Sequence, residues 1–389
     1  MRTLFKLILL ITVQVLHAQK PSNIEMEEIH TIYDESFTTD ANTTLVLNLS
    51  NTAARIYKSK DDKVHIKYTM EFNNYRKKIV ESSLKRAIVS GKKENNKITY
   101  TSKSRNSKYY RQYQMEEVLV GRLGKMVDST NKIKPVIRKS LDSILIQINL
   151  SERKRLRKFY GTFKIKPRVK KWKKSDKLQI TRMVIYIPEN IHVRATLENA
   201  QLIFLDDFIN RATINSRNSK LRFKTIGHEL NIFDIDNGYF NAEAVTSGSY
   251  SFANTKEVTI GRLSNSLVNS EFTKIELGEI GKNNKVVDFN SKYFIYNFSN
   301  DFGAFNLDTD YTEVNLFFPE SIDYYIETFG YDTVHYSKGF TGVIGSPSKY
   351  EPTKMMTIGK ETNPNKIKIN TTHGIIRLGE DSIDFGKKN

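Results

Sequence analysis

No cysteine occurs among the 389 residues. Its absence excludes disulfides, thiolate metal sites, a cysteine nucleophile and the cysteine-borne lipid anchor of bacterial lipoproteins. Stability must then come from burial and from sheet hydrogen bonds. Proline is scarce, at 8 residues, and Trp172 is the single tryptophan. Past the first twenty residues no apolar run is long enough to span a bilayer as a helix. The phosphate loop, the dinucleotide fingerprint and the H-E-x-x-H zinc pattern are missing. The histidines beyond residue 18 (30, 65, 192, 228, 335 and 373) include no two at a metal-ligand spacing. Ser82-x-x-Lys85 and Ser346-x-x-Lys349 match a short nucleophile pattern but lack its supporting motifs. No catalytic residue, metal or cofactor is therefore expected.

What is abundant points to sheet. There are 20 tyrosines and 22 phenylalanines, and the chain is 39% hydrophobic and 27% charged, which suits a folded β-rich protein. Residues 1–18 read as a secretory signal: Arg2 and Lys6, the apolar run Leu7 to Val13, and Ala18 before the expected cut. Export to the periplasm, the outer-membrane surface or the exterior is expected, with no transmembrane segment in the mature chain.

A short phrase recurs between Thr196 and Pro319: a small residue, then apolar residues at alternate positions. It reads Ala200-Gln-Leu202-Ile-Phe204, Ser219-Lys-Leu221-Arg-Phe223 and Gly238-Tyr-Phe240-Asn-Ala242. It returns at Gly248, Ser266, Ser291 and Gly303, often preceded by Asn or Ser, as at Asn199, Asn218 and Asn237. Alternation marks a strand with one buried face. Asn, Ser and Gly suit a sharp corner, because they tolerate positive φ or bond to nearby backbone. Steps near twenty residues predict an all-β fold, a β-solenoid of short stacked strands with Leu202, Leu221 and Phe240 in one core column. A β-sandwich is the alternative, favoured by the irregular spacing after Ala242.

The expected organisation is a lead-in at 19–42, a first β coil or hairpin at 43–72, a mixed α/β insertion at 73–177, repeats at 178–330 and a C-terminal β segment at 331–389. Tyr75 to Val89 has helical spacing, and Lys97 to Thr101 reads as a strand. Met183 to Ile191 and Val314 to Ile322 match each other, each an alternating strand followed by Pro-Glu, and bracket the repeats.

Most of the +18 net charge sits between Arg153 and Lys177, where thirteen Lys or Arg face one acid, Asp176. Aromatics are interleaved there. This segment is the candidate binding site, with Arg155, Lys170, Lys171 and Trp172 as contact residues. The export signal argues for anionic polysaccharide, lipopolysaccharide or lipid headgroups over nucleic acid. The competing reading is a solvated loop. Asp206-Asp207, Asp234-Ile-Asp236 and Asp308-Thr-Asp310 are short acidic clusters, read as corner residues or as Ca²⁺ ligands.

The strand, Pro, polar step, second strand and coils opened by Gly, Asn or Ser resemble the adhesin-like β-solenoid family of exported bacterial proteins, the auto-transporter adhesin head-domain type. The resemblance covers Thr44 to Tyr68, Leu178 to about Gly330 and Ile367 to Leu378. It implies a solenoid fold and an envelope or surface setting. The functional expectation is a non-enzymatic adhesin-like protein that binds an anionic glycan or envelope polymer. The alternatives are a β-helix polysaccharide lyase, which needs Asp206, Asp234 and Asp236 to converge with a basic side chain, and a periplasmic structural or sensing component.

Overall fold

A computed structural model describes residues 28–104, 177–317, 323–338, 343–345 and 352–379. Among these are two long sheets, of thirteen and fourteen strands, and a single helix. From His192 to Lys338 the chain alternates between the sheets. His192–Glu198 lies in the second sheet, Gln201–Phe204 in the first, Ala212–Arg217 in the second and Lys220–Ile226 in the first. Each strand pairs in parallel with the strand one coil earlier and one coil later. That is a two-sided β-solenoid.

The β-sandwich alternative fails on this pairing. The irregular spacing that favoured it has a simple origin. The phrases at Ala200, Ser219, Gly238 and Ser291 open first-sheet strands, whereas those at Gly248, Ser266 and Gly303 belong to the second sheet. Two interleaved series were being read as one.

The core lies between the sheets. Leu202, Leu221, Phe240, Val258, Ile275, Tyr293, Val314 and Ile376 are in register along the first sheet, all at most 2% exposed. Ile214, Phe233, Tyr250, Val268, Val286 and Leu307 form the facing column. Stacking is what makes strands of four to seven residues stable, since one coil alone cannot bury both of its apolar faces. Gly238 is required at its corner: a Cβ there would sit 2.2 Å from the Ser219 carbonyl oxygen.

Both ends are closed by irregular elements. At the N-terminal end Glu28–Thr38 pairs antiparallel with Lys63–Asn73, so part of the expected lead-in is a strand of the first sheet. The expected helix is shorter than its spacing suggested, Lys77–Leu84, because Ala87–Glu94 leaves as an antiparallel strand against Lys97–Ser104. Val80 of the helix is buried in the main core. The Tyr33 hydroxyl closes over Gly91, where any Cβ would lie 1.7 Å from it. Residues 73–104 thus form a cap woven into the sheets, and Lys97–Ser104 continues the second sheet through Thr44–Ser50. The rest of the expected insertion lies outside the described residues.

At the other end the coils are out of sequence order. Lys366–Thr372 inserts between Ala304–Asp310 and Tyr325–Tyr331, in parallel with both. Ile375–Gly379 does the same between Glu313–Leu316 and Val334–Lys338. Thr353–Ile358 then covers the second-sheet edge, antiparallel to Tyr325–Tyr331. The coil at 325–338 therefore docks onto the last coil and not onto the one before it in the chain. A chain ending at Gly359 is expected to lose amide protection throughout 325–358 while 192–289 stays protected. Hydrogen exchange reads this directly, and retained protection over Tyr325–Tyr331 would contradict the interleaved order.

Candidate functional site: an exposed aromatic strip

The second-sheet strands of the regular coils end in the same corner. One residue takes positive φ, and the next is small and turns into the first sheet. The positive-φ residue is Asn51, Asn199, Asn218, Asn237, Asn254 or Asn290, with φ between 49° and 53°. Asparagine tolerates this conformation better than most L-residues. The small residue that follows closes a hydroxyl ladder. Ala200 N–H donates to Ser219 Oγ at 2.9 Å, Thr255 N–H to Thr273 Oγ1 at 3.1 Å, and Thr273 N–H to Ser291 Oγ at 3.0 Å. The hydroxyls donate in turn to the carbonyl two residues back, as Ser219 does to Arg217 and Thr273 to Glu271.

Towards the C-terminal end the corner changes. Phe272, Tyr311 and His373 occupy the asparagine position with φ of 48°, 54° and 53°. The position just before the corner is Phe289 in one coil and Tyr331 in another. Five consecutive coils thereby present one ring each, in the spatial order Phe272, Phe289, Tyr311, His373, Tyr331. Successive centroids are 5.5, 5.9, 5.0 and 5.7 Å apart. The four Phe and Tyr side chains are 41–53% exposed. The intercalated last coil is what puts His373 between Tyr311 and Tyr331.

Each of these coils sets a polar residue beside its ring: Glu271, Asn290, Asp310, Thr372 and Asp332. Asp332 Oδ2 lies 3.1 Å from His373 Nδ1. On the first-sheet flank Lys274 and Lys292 are held by Glu276 at 2.5 Å and Glu313 at 2.7 Å. The strip is thus aromatic with carboxylates beside it, and Lys274 and Lys292 on its flank are paired with acids.

The signals of this site were individually present in the sequence and collectively invisible. Phe272, Tyr311 and His373 stand where the repeat elsewhere has Asn, but joining them needs the coil order. Arg155, Lys170, Lys171 and Trp172, the residues nominated for binding, lie outside the described residues. Their segment leaves and rejoins at the capped N-terminal end, after Ser104 and before Lys177.

The acidic clusters do not come together. Asp206 and Asp207 follow a first-sheet strand. There Asp206 Oδ2 accepts the Lys58 N–H at 2.9 Å, and Asp207 pairs with Lys224 at 3.0 Å. Asp234 and Asp236 lie in the second sheet, with Asp236 3.4 Å from Arg217. Among the described residues no three His, Asp or Glu side chains form a metal-holding group.

No protein-family model matches the chain, and no curated protein matches it. Among solved structures it is similar to the crystal structure of "a putative cell adhesion protein" from Clostridium sporogenes, at 10% identity and a TM-score of 0.17. The match spans 90% of this chain and 99% of that one.

One buried carboxyl stands apart from the surface chemistry. Asp288 is 5% exposed and faces the core, touching Ser270 and Thr312 hydroxyls, with Tyr293 beside Ser270. The Thr312 hydroxyl also donates to the Asp310 carbonyl at 3.0 Å, as its counterparts do in other coils. Ser270 Oγ and Thr312 Oγ1 also donate to the two carboxyl oxygens of Asp288. Burial pushes the Asp288 pKa up, against its hydroxyl hydrogen bonds, which lower it. A raised folded-state value stabilises the protein fully below the ordinary 3.8 and loses that contribution as pH rises through the folded value. Urea midpoints of the native chain are expected to fall relative to those of Asp288→Asn as the pH rises through that window, and an unchanged difference would contradict the raised value.

The strained corners give a second expectation. An aromatic residue in the left-handed region costs about 1–2 kcal/mol. Phe272→Asn and Tyr311→Asn are each expected to raise the unfolding free energy by about 1 kcal/mol, measured by denaturant titration.

Proposed function

We propose that this is a non-enzymatic, exported, adhesin-like protein of the cell envelope or surface, which holds an extended polymer along the aromatic strip. The observation that carries this reading is one exposed ring per coil over five consecutive coils. A contiguous exposed aromatic patch marks an interaction surface. A file repeating at about the strand spacing of 4.8 Å suits a ligand that repeats as well. Three of the five rings, Phe272, Tyr311 and His373, are kept at corners where asparagine would cost less, and strain retained in this way points to use.

The lyase reading has lost its geometric support, since Asp206 and Asp234 sit in strands or corners of different sheets. The basic segment from Arg153 to Lys177 remains a second site for anionic polymers on its charge. Co-sedimentation with purified envelope polymers separates the two. The Phe289→Ser/Tyr311→Asn double variant is expected to lose most binding at both low and high salt, and deletion of Arg153 to Lys177 to leave it. Binding that vanishes with the deletion and weakens with salt would move the site to the basic segment. Absence of binding by the intact chain would remove the polymer reading.

A further inference from the structure

We infer that the polymer taken by the aromatic strip is an uncharged glycan, a chain of neutral pyranose units. This rests on the polymer-binding reading and adds the chemistry of the ligand.

The strip alternates two kinds of surface. One is the row of ring faces. The other is the polar set beside it: Glu271, Asn290, Asp310, Thr372 and Asp332. Glu271 and Asp310 are the register partners that flank Phe289 on either side. Three of the five are acids and none is a cation. An ionised carboxylate accepts hydrogen bonds and donates none. A sugar ring offers both matching features, an apolar C–H face to lie on an aromatic ring and hydroxyls that donate to carboxylates. One pyranose unit of an extended chain is close in length to one coil step.

Charge narrows the class. A polyanion would set its own carboxylates or sulfates against Glu271 and Asp310, and such like-charge contact is a strong discriminator. Two flanking lysines, Lys274 and Lys292, are already engaged with Glu276 and Glu313. A polycation would meet the field of a chain carrying +18. A neutral chain meets neither penalty.

Affinity electrophoresis of the full chain tests this, using gels containing mixed-linkage β-glucan, arabinoxylan, galactomannan, polygalacturonate or chitosan. The variants are Phe289→Ser/Tyr311→Asn, which removes two rings, and Glu271→Gln/Asp310→Asn, which removes two charges. Tyr311→Asn installs the residue that other coils use at this corner, and unfolding midpoints verify that each variant is folded. Retardation by at least one neutral polysaccharide is expected. It should fall at least tenfold in the ring variant, weaken several-fold in the charge variant and be insensitive to salt. Strip-dependent retardation by polygalacturonate alone, strengthened in the charge variant, would overturn the neutral-glycan inference and leave the polymer reading standing. Strip-dependent retardation by chitosan alone would do the same. No strip-dependent retardation in any gel would overturn both.

Discussion

A coil of two short strands must reverse direction twice, and each reversal takes backbone groups away from ladder partners. The corner hydrogen bonds resolve this. On one side a hydroxyl accepts the N–H of the neighbouring coil and donates to a carbonyl of its own, as at Ser219, Thr273 and Ser291. On the other a buried asparagine does the equivalent. Asn231 Oδ1 accepts the Ala212 N–H, and Asn284 accepts from Ser266 and donates to Leu263 and Gly281. The N–H bonds among these join positions 18 or 19 residues apart, the length of one coil. Buried polar groups left without partners would cost about 1–3 kcal/mol each, which explains why the corner chemistry recurs while outward-facing residues vary.

That economy makes the aromatic corners informative. Asparagine is the low-strain occupant, and in the N-terminal half Asn218 and Asn237 even bond to each other, at 2.6 Å. Where Phe272 and Tyr311 stand in its place, the backbone keeps the same left-handed turn and the side chain gains exposed ring surface. Folding has no use for that exchange. The core already holds its own aromatic stack, with Phe204 and Phe223 4.3 Å apart and Phe223 and Phe240 5.7 Å apart. The surface file is a second, independent use of the same spacing.

The interleaved last coil connects fold to site. A solenoid that ended in sequence order would have Tyr311 followed directly by Tyr331. Insertion of Lys366–Thr372 places His373 between them and extends the file by one ring. It also ties Ile375–Gly379 into the stack, and on the second sheet the edge beyond Tyr325–Tyr331 is covered by the antiparallel strand Thr353–Ile358.

Periodicity by itself determined the all-β class, the core columns from Leu202, Leu221 and Phe240, and the corner role of Asn199, Asn218 and Asn237, because alternation and turn chemistry are local properties of a few adjacent residues. Two-sidedness was hidden, since both corners use similar small residues and the two strand series merged into one irregular repeat. The joining of Lys97–Ser104 to the second sheet was hidden for a related reason: its partner Thr44–Ser50 lies more than forty residues earlier. The strip was beyond reach of the sequence. Phe272 and Phe289 are separated by one coil, but Tyr311, His373 and Tyr331 become neighbours only through the pairing of Lys366–Thr372 with strands on both sides. Register between distant strands is decided by how whole coils pack, and only the tertiary structure carries that information.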